Sequence, residues 1–188
     1  KLIRRTLKVT GVVVLVAFVG LLGVGDYVYR TGTKVFCGIH TDHAANTPTR
    51  FVTPGSGRGP FRGSGWDRWV GHDLSAWWVP DIPVETVRIR DPHRAVTIAG
   101  WWMTPNFPSN KATVIVVHGI DSSRHNFDTL MPAAMLARAG FNILLIDLRD
   151  QGETTCEDGR HSAGQDESDD ILTAAHWLKS VKAIPLSR

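Results

Sequence analysis

The chain has 188 residues, enough for one domain with a real core, and 43% of them are hydrophobic. Its formal net charge of +3 is unevenly spread: residues 1–111 carry 14 Lys and Arg against 7 Asp and Glu, and residues 112–188 carry 7 against 11. The basic excess is partly the leading group Lys1, Arg4, Arg5 and Lys8 and is otherwise scattered, which argues against a nucleic-acid partner.

The first element is an uncharged run of 17 residues, Val9 to Gly25, bounded by Lys8 and Asp26. As a helix it spans roughly 25 Å, short of the roughly 30 Å hydrocarbon core, and Lys8 with the interfacial Tyr27 and Tyr29 extends it. The basic side is amino-terminal, so the positive-inside rule keeps residues 1–8 in the cytoplasm and exports the rest. This predicts a cell-membrane protein with a single pass, the membrane being met through residues 9–25 and the carboxyl-terminal part lying outside the cytoplasm. Secretion after signal cleavage is the alternative, since Gly23 and Gly25 offer small residues, but no Ala-x-Ala is present. A buried core helix fits less well, because the run is apolar on every side and not along one stripe.

Three segments follow from this reading: a basic flank and anchor over 1–28, a Gly- and Trp-rich extracytoplasmic spacer over 29–83, and an α/β segment over 84–188. In the spacer, Thr53-Pro-Gly-Ser-Gly-Arg-Gly-Pro60 and Arg62-Gly-Ser-Gly65 hold too much glycine for regular structure and match no phosphate-cradling pattern. Trp66, Trp69, Trp77 and Trp78 suit packing against the next domain, or a surface that skims the membrane.

From Val84 the pattern becomes regular. Val84–Arg90 alternates like a half-exposed strand, Val96–Met103 reads as its neighbour, and Asp91-Pro-His-Arg94 is the turn between them. Pro105 to Asn110 reads as a loop. The apolar runs Ala112–Val117 and Phe141–Ile146 have the continuous character of parallel strands covered on both faces. Between them Phe127, Leu130, Met131, Ala134 and Ala137 recur at helical spacing, with Asn126 or Asp128 as cap and Gly140 as stop. Pro132 is tolerable in that helix only in its first turn, where its missing N–H has no partner anyway. A second helix over Asp166–Ser180 places Ile171, Ala174, Ala175 and Leu178 on one face and acids in its first turn.

An exported setting permits a bridge between Cys37 and Cys156, but they are far apart in sequence and two unrelated, reduced thiols are the favoured expectation. Cys37-x-x-His40-x-Asp42-His43 has metal-type ligands at short spacing, but no second half is evident, so no metal and no cofactor is predicted. His125 and His161 read as loop residues without an evident partner.

Three motifs carry a resemblance: Val116-Val-His118-Gly119; Arg138-Ala-Gly-Phe141 followed by Ile146-Asp147-Leu-Arg149-x-x-Gly152; and Glu167-x-x-Asp170 before Trp177-Leu178. In order and spacing they are similar to the α/β-hydrolase superfamily, in its esterase and prolyl-oligopeptidase-like branch, over roughly Val84 to Lys179. The chain departs from the pattern at Arg149-Asp-Gln-Gly152-Glu-Thr154, where members often show Arg-Gly-His-Gly-x-Ser. The resemblance implies an α/β fold, the amino-terminal half of an α/β-hydrolase mixed sheet, preceded here by the transmembrane helix.

It also implies that the backbone N–H of Ile120 forms part of an oxyanion hole, with His118 and Gly119 supporting that loop. On its own, His118-Gly119 is equally a strand end whose glycine permits a tight turn. No G-x-S-x-G elbow occurs in the chain; Ser122 and Ser123 lie on the wrong loop for one and are expected to hydrogen-bond the turn. In the family's order the nucleophile, acid and base would come beyond Arg188, so residues 1–188 are expected to hold no catalytic residue and to be inactive. The intact protein would be a membrane-anchored serine hydrolase acting on a small-molecule or peptide acyl substrate. The alternative is a non-catalytic, truncated hydrolase-like interaction module.

Overall fold

The computed structural model describes residues 2–53, 69–105 and 112–185. The Gly-rich runs, Trp66, most of the Pro105–Asn110 loop and the last three residues lie outside the described residues.

Residues 1–34 and 35–188 form two separate units. The first is a single helix, α1, Leu2–Gly32. It runs past the uncharged stretch because Asp26 and Arg30, one turn apart, pair at 2.8 Å and let the polar turn stay helical. Its segment Thr10–Gly32, 23 residues, is apolar and long enough to cross a membrane.

The second unit is built on a four-stranded mixed sheet in the order β1-β2-β4-β3. The strands are β1 (Val84–Arg90), β2 (Thr97–Met103), β3 (Thr113–Val117) and β4 (Asn142–Ile146). The antiparallel pair β1/β2 is closed by a turn in which Asp91 Oδ1 accepts the N–H groups of His93 and Arg94. β2 pairs antiparallel with β4, and β4 parallel with β3 through the helical crossover α2 (Phe127–Arg138). The second helix of this unit, α3, spans Glu167–Val181.

Side chains of β4 alternate between two cores, which is why its sequence is apolar throughout. Ile143 and Leu145 pack with α2 (Phe127, Leu130, Ala133, Ala134, Ala137), while Leu144 and Ile146 pack with Ala174 and Leu178 of α3. Trp101 and Trp102 divide between the faces in the same way. Phe51, Leu74, Val79 and Ile82, from the stretch read as spacer, are buried in the α2-side core, and Trp77 and Trp78 pack against it. Trp78 donates its indole N–H to the Phe51 carbonyl at 2.7 Å.

Three expectations need correction. Pro132 is the sixth residue of α2, not in its first turn; burial of the Phe127, Leu130 and Ala134 face outweighs the one hydrogen bond that proline removes. In α3 the inward positions are Glu167, Asp170, Ala174 and Leu178, whereas Ile171 is 37% exposed. Asp170 takes the inward place because it meets Arg149 there. Finally, Cys37 and Cys156 are not free thiols but a disulfide spanning 119 positions. Their neighbours bring them together: Val35 N–H donates to Gly159 O at 3.0 Å, and Gly152 N–H to Gly38 O at 3.1 Å.

Candidate active site

Strands β3 and β4 run parallel, so their carboxyl ends open on the same edge of the sheet, where the loop Val117–Asn126 faces the loop Asp147–Gly159. His118 joins them. Its Nε2 accepts the backbone N–H of Leu148 at 3.0 Å, so the ring proton must be on Nδ1, which donates to the Gly119 carbonyl at 2.7 Å. Burial holds the His118 pKa below its ordinary value, consistent with a neutral ring that serves as a strut. Carbonyl and N–H of a trans peptide point in opposite directions. Tying down the Gly119 carbonyl therefore turns the Ile120 N–H away from the His118 ring, and among the described residues nothing accepts it. The Ile120 side chain is exposed, and a Cβ added at Gly119 would meet open space.

Behind this loop lies a buried charge cluster centred on Asp147, which is fully buried at the end of β4. Its Oδ1 accepts the Arg124 backbone N–H at 2.6 Å, its Oδ2 the Glu153 N–H at 2.8 Å, and the Arg124 guanidinium closes the pair. Arg124 also pairs with Glu153 and stacks 4.6 Å from the Trp101 ring, so its charge is paired although the side chain is buried. Burial works against ionisation of Glu153, but the hydrogen bond and charge of Arg124 prevail and hold its pKa below the usual range. A Cβ at Gly152, whose φ is +57°, would lie 2.2 Å from Asp147 Cγ. Only glycine fits there.

The departure at Asp150-Gln151 has a physical reading. Asp150 adopts φ 62°, a left-handed conformation that aspartate tolerates, and its Oδ1 accepts the N–H groups of Glu157, Asp158 and Gly159 at 2.5, 2.9 and 2.9 Å. Gln151 is buried, and its Oε1 accepts the Ser122 N–H at 3.3 Å. Thr154 donates its hydroxyl to the Asp147 carbonyl at 2.8 Å. Arg149 grips Asp170 through Nε and Nη2, at 3.2 and 2.8 Å, which fastens the loop to α3.

The site residues expected from sequence thus lie together: His118, Gly119 and Ile120 form one continuous strand-end loop. Ser123 Oγ accepts the His125 N–H at 3.3 Å, a turn contact as expected, whereas Ser122 Oγ is buried without a hydrogen-bond partner among the described residues. His125 is buried: Nδ1 donates to Asn46 O at 2.8 Å, and burial, then the charge of Arg124, lowers its pKa. His43 is lowered as well, chiefly by burial. In the metal-type run, Cys37 is bonded to Cys156 and His40 Nε2 lies 3.1 Å from the Asp121 carbonyl. Sequence reasoning missed Arg124, Asp147 and Glu153 as a unit. The signal was available: a charged residue closing an apolar strand must find an opposite charge to be buried.

No protein-family model matches the sequence, and no curated protein matches it. Solved structures do. The Pyrococcus furiosus esterase Pf2001 matches at 25% identity and TM-score 0.48, over 56% of this chain and 40% of that protein. The α/β hydrolase GrgF from Penicillium matches at 22% identity and TM-score 0.43, over 53% of this chain and 33% of its own. An aminopeptidase from a marine-sediment Thaumarchaeota archaeon matches at 17% identity and TM-score 0.36, over 54% and 19%. The chain spans two fifths or less of the length of these proteins. Over the matched half, the chain is similar to solved esterases and α/β hydrolases.

Proposed function

We propose that the chain is the amino-terminal part of a membrane-anchored serine hydrolase that transfers an acyl group from a small-molecule or peptide ester, thioester or amide. The observation that carries this reading is the Gly119–Ile120 peptide. Its carbonyl is pinned by His118 at the carboxyl edge of a parallel pair, and its N–H has no acceptor among the described residues. A fixed amide free to donate suits stabilisation of an oxyanion, because it needs no reorganisation when charge develops. The nucleophile, its base and the orienting acid belong to the rest of the protein on this reading, and α1 holds the enzyme to the bilayer.

Two measurements test it. The full-length protein should be labelled by a fluorophosphonate probe, while residues 1–188 alone should not; labelling at Ser122 or Ser123 would place the nucleophile in this chain, and no labelling of the full-length protein would favour the non-catalytic module. Ile120→Pro, which deletes the amide proton at a position whose side chain is exposed, should lower kcat by up to about 10²–10³. A folded Ile120→Pro enzyme with turnover within about threefold of wild type would remove Ile120 from the mechanism.

A further inference from the structure

The segment 35–53 precedes the sheet in sequence but contacts both strand-end loops. Toward the β4 loop it is held by the Cys37–Cys156 bridge, by Val35 N–H on Gly159 O and by Gly38 O on Gly152 N–H. Toward the β3 loop it reaches Asp121, the residue after Ile120. Phe36 N–H donates to Asp121 Oδ1 at 2.8 Å, and His40 Nε2, which carries the proton because it faces a carbonyl, donates to Asp121 O at 3.1 Å. Asp121 has φ 55°, a left-handed conformation that is unfavourable for most L residues and therefore relies on such restraints. Ile120 is thus bracketed, with Gly119 tied to His118 on one side and Asp121 tied to the preceding segment on the other.

We infer that Asp121 is a positioning residue for acyl transfer, and that the segment 35–40 sets it, with the Cys37–Cys156 bridge holding that segment in place. The oxyanion donor is then aimed by two restraints of different origin, one from within the sheet domain and one from the stretch that leads into it. The inference rests on the reading of Ile120 as that donor. The restraint is local: Asp121 meets Phe36 and His40 through one side-chain oxygen and one carbonyl, so its loss should misdirect one amide and leave the substrate's other contacts in place. That distinguishes positioning from general support of the fold.

The test compares Asp121→Ala, Asp121→Asn and the double variant Cys37→Ser, Cys156→Ser in the full-length protein, using a soluble p-nitrophenyl ester. Asp121→Ala and the double variant should lower kcat about tenfold at unchanged KM, a fraction of the loss expected from removing an oxyanion donor outright. Asp121→Asn should stay within about twofold of wild type, because its amide oxygen still accepts the Phe36 N–H and asparagine tolerates the left-handed conformation. In parallel, the backbone order parameter of the Ile120 N–H, read by ¹⁵N relaxation in nanodiscs, should fall from about 0.85 toward 0.6 in Asp121→Ala and in the double variant, and should hold in Asp121→Asn. Undiminished kcat in a folded Asp121→Ala enzyme, or equal losses in Ala and Asn, overturns the inference. A wild-type protein with neither turnover nor fluorophosphonate labelling refutes the hydrolase reading instead; the order parameter then decides the positioning role alone, an unchanged Ile120 value sinking it.

Discussion

Asp147 shows how one residue ties the local sequence to the site. It closes an apolar strand, is fully buried and is saved from the cost of an unpaired charge by Arg124 and two backbone N–H groups. The loop after it must turn back at once to supply the Glu153 N–H, and that path passes too close to Asp147 for any side chain at position 152. Gly152→Ala should therefore destabilise the protein by more than about 3 kcal/mol, combining left-handed strain with disruption of a buried ion pair. Chemical denaturation reads this directly, and a loss below about 1 kcal/mol would show that Asp147 can move aside. His118 plays the complementary part. With one nitrogen accepting from Leu148 and the other donating to Gly119, it fills both roles of a neutral imidazole and has none left for proton transfer.

Among the elements, α3 holds the loop after β4 through Arg149 and Asp170, and the segment 35–53 meets both strand-end loops through hydrogen bonds and the disulfide. The bridge closes a span of 119 positions, for which the chain-entropy account gives up to about 5 kcal/mol. Reduction should lower the unfolding midpoint markedly, and the double serine variant should match the reduced wild type; equal midpoints before and after reduction would show that the bridge adds no stability.

Acid should loosen the same region. His43, His118 and His125 all have pKa values lowered from 6.5, in each case first by burial. The folded state therefore binds fewer protons than the unfolded one, so these groups contribute in full above about pH 6.5, and that contribution is lost as pH falls below it. Arg124 lies close enough to lower His118 and His125, while Asp147 acts against it on both; on His43, Asp42 raises the pKa, and His40 and His125 lower it. Asp128, whose pKa burial raises, works in the opposite sense. Denaturation midpoints measured from pH 7.5 down to 5 should decline, and a flat profile would contradict the burial of these rings.

For the whole molecule, charge and hydropathy set the expected topology. The leading basic residues precede a 23-residue apolar segment, and the sheet domain begins soon after it. The positive-inside rule predicts that this domain is exported, a setting that permits an oxidised cysteine pair. A reporter active only in the cytoplasm, fused after Arg188, should be silent, and strong cytoplasmic signal would reverse the orientation. Retention in the membrane fraction after carbonate washing would separate an anchor from a cleaved leader.

The elements and their order are legible in the amino-acid pattern alone. Each strand and helix of the sheet domain carries its own periodicity, and β4 declares its double burial because Ile143 to Ile146 are all apolar. The pattern also determined the strand-end loop, since His118-Gly119 follows directly on an apolar strand. What only the tertiary structure decided are the pairings between distant positions: Cys37 with Cys156, Arg124 with Asp147, Arg149 with Asp170, and Phe36 with Asp121. Periodicity reports which face of an element is covered and not what covers it. Charged and sulfur-bearing residues in loops carry no period at all, so their partners became visible only when folding placed both loops at one edge of the sheet.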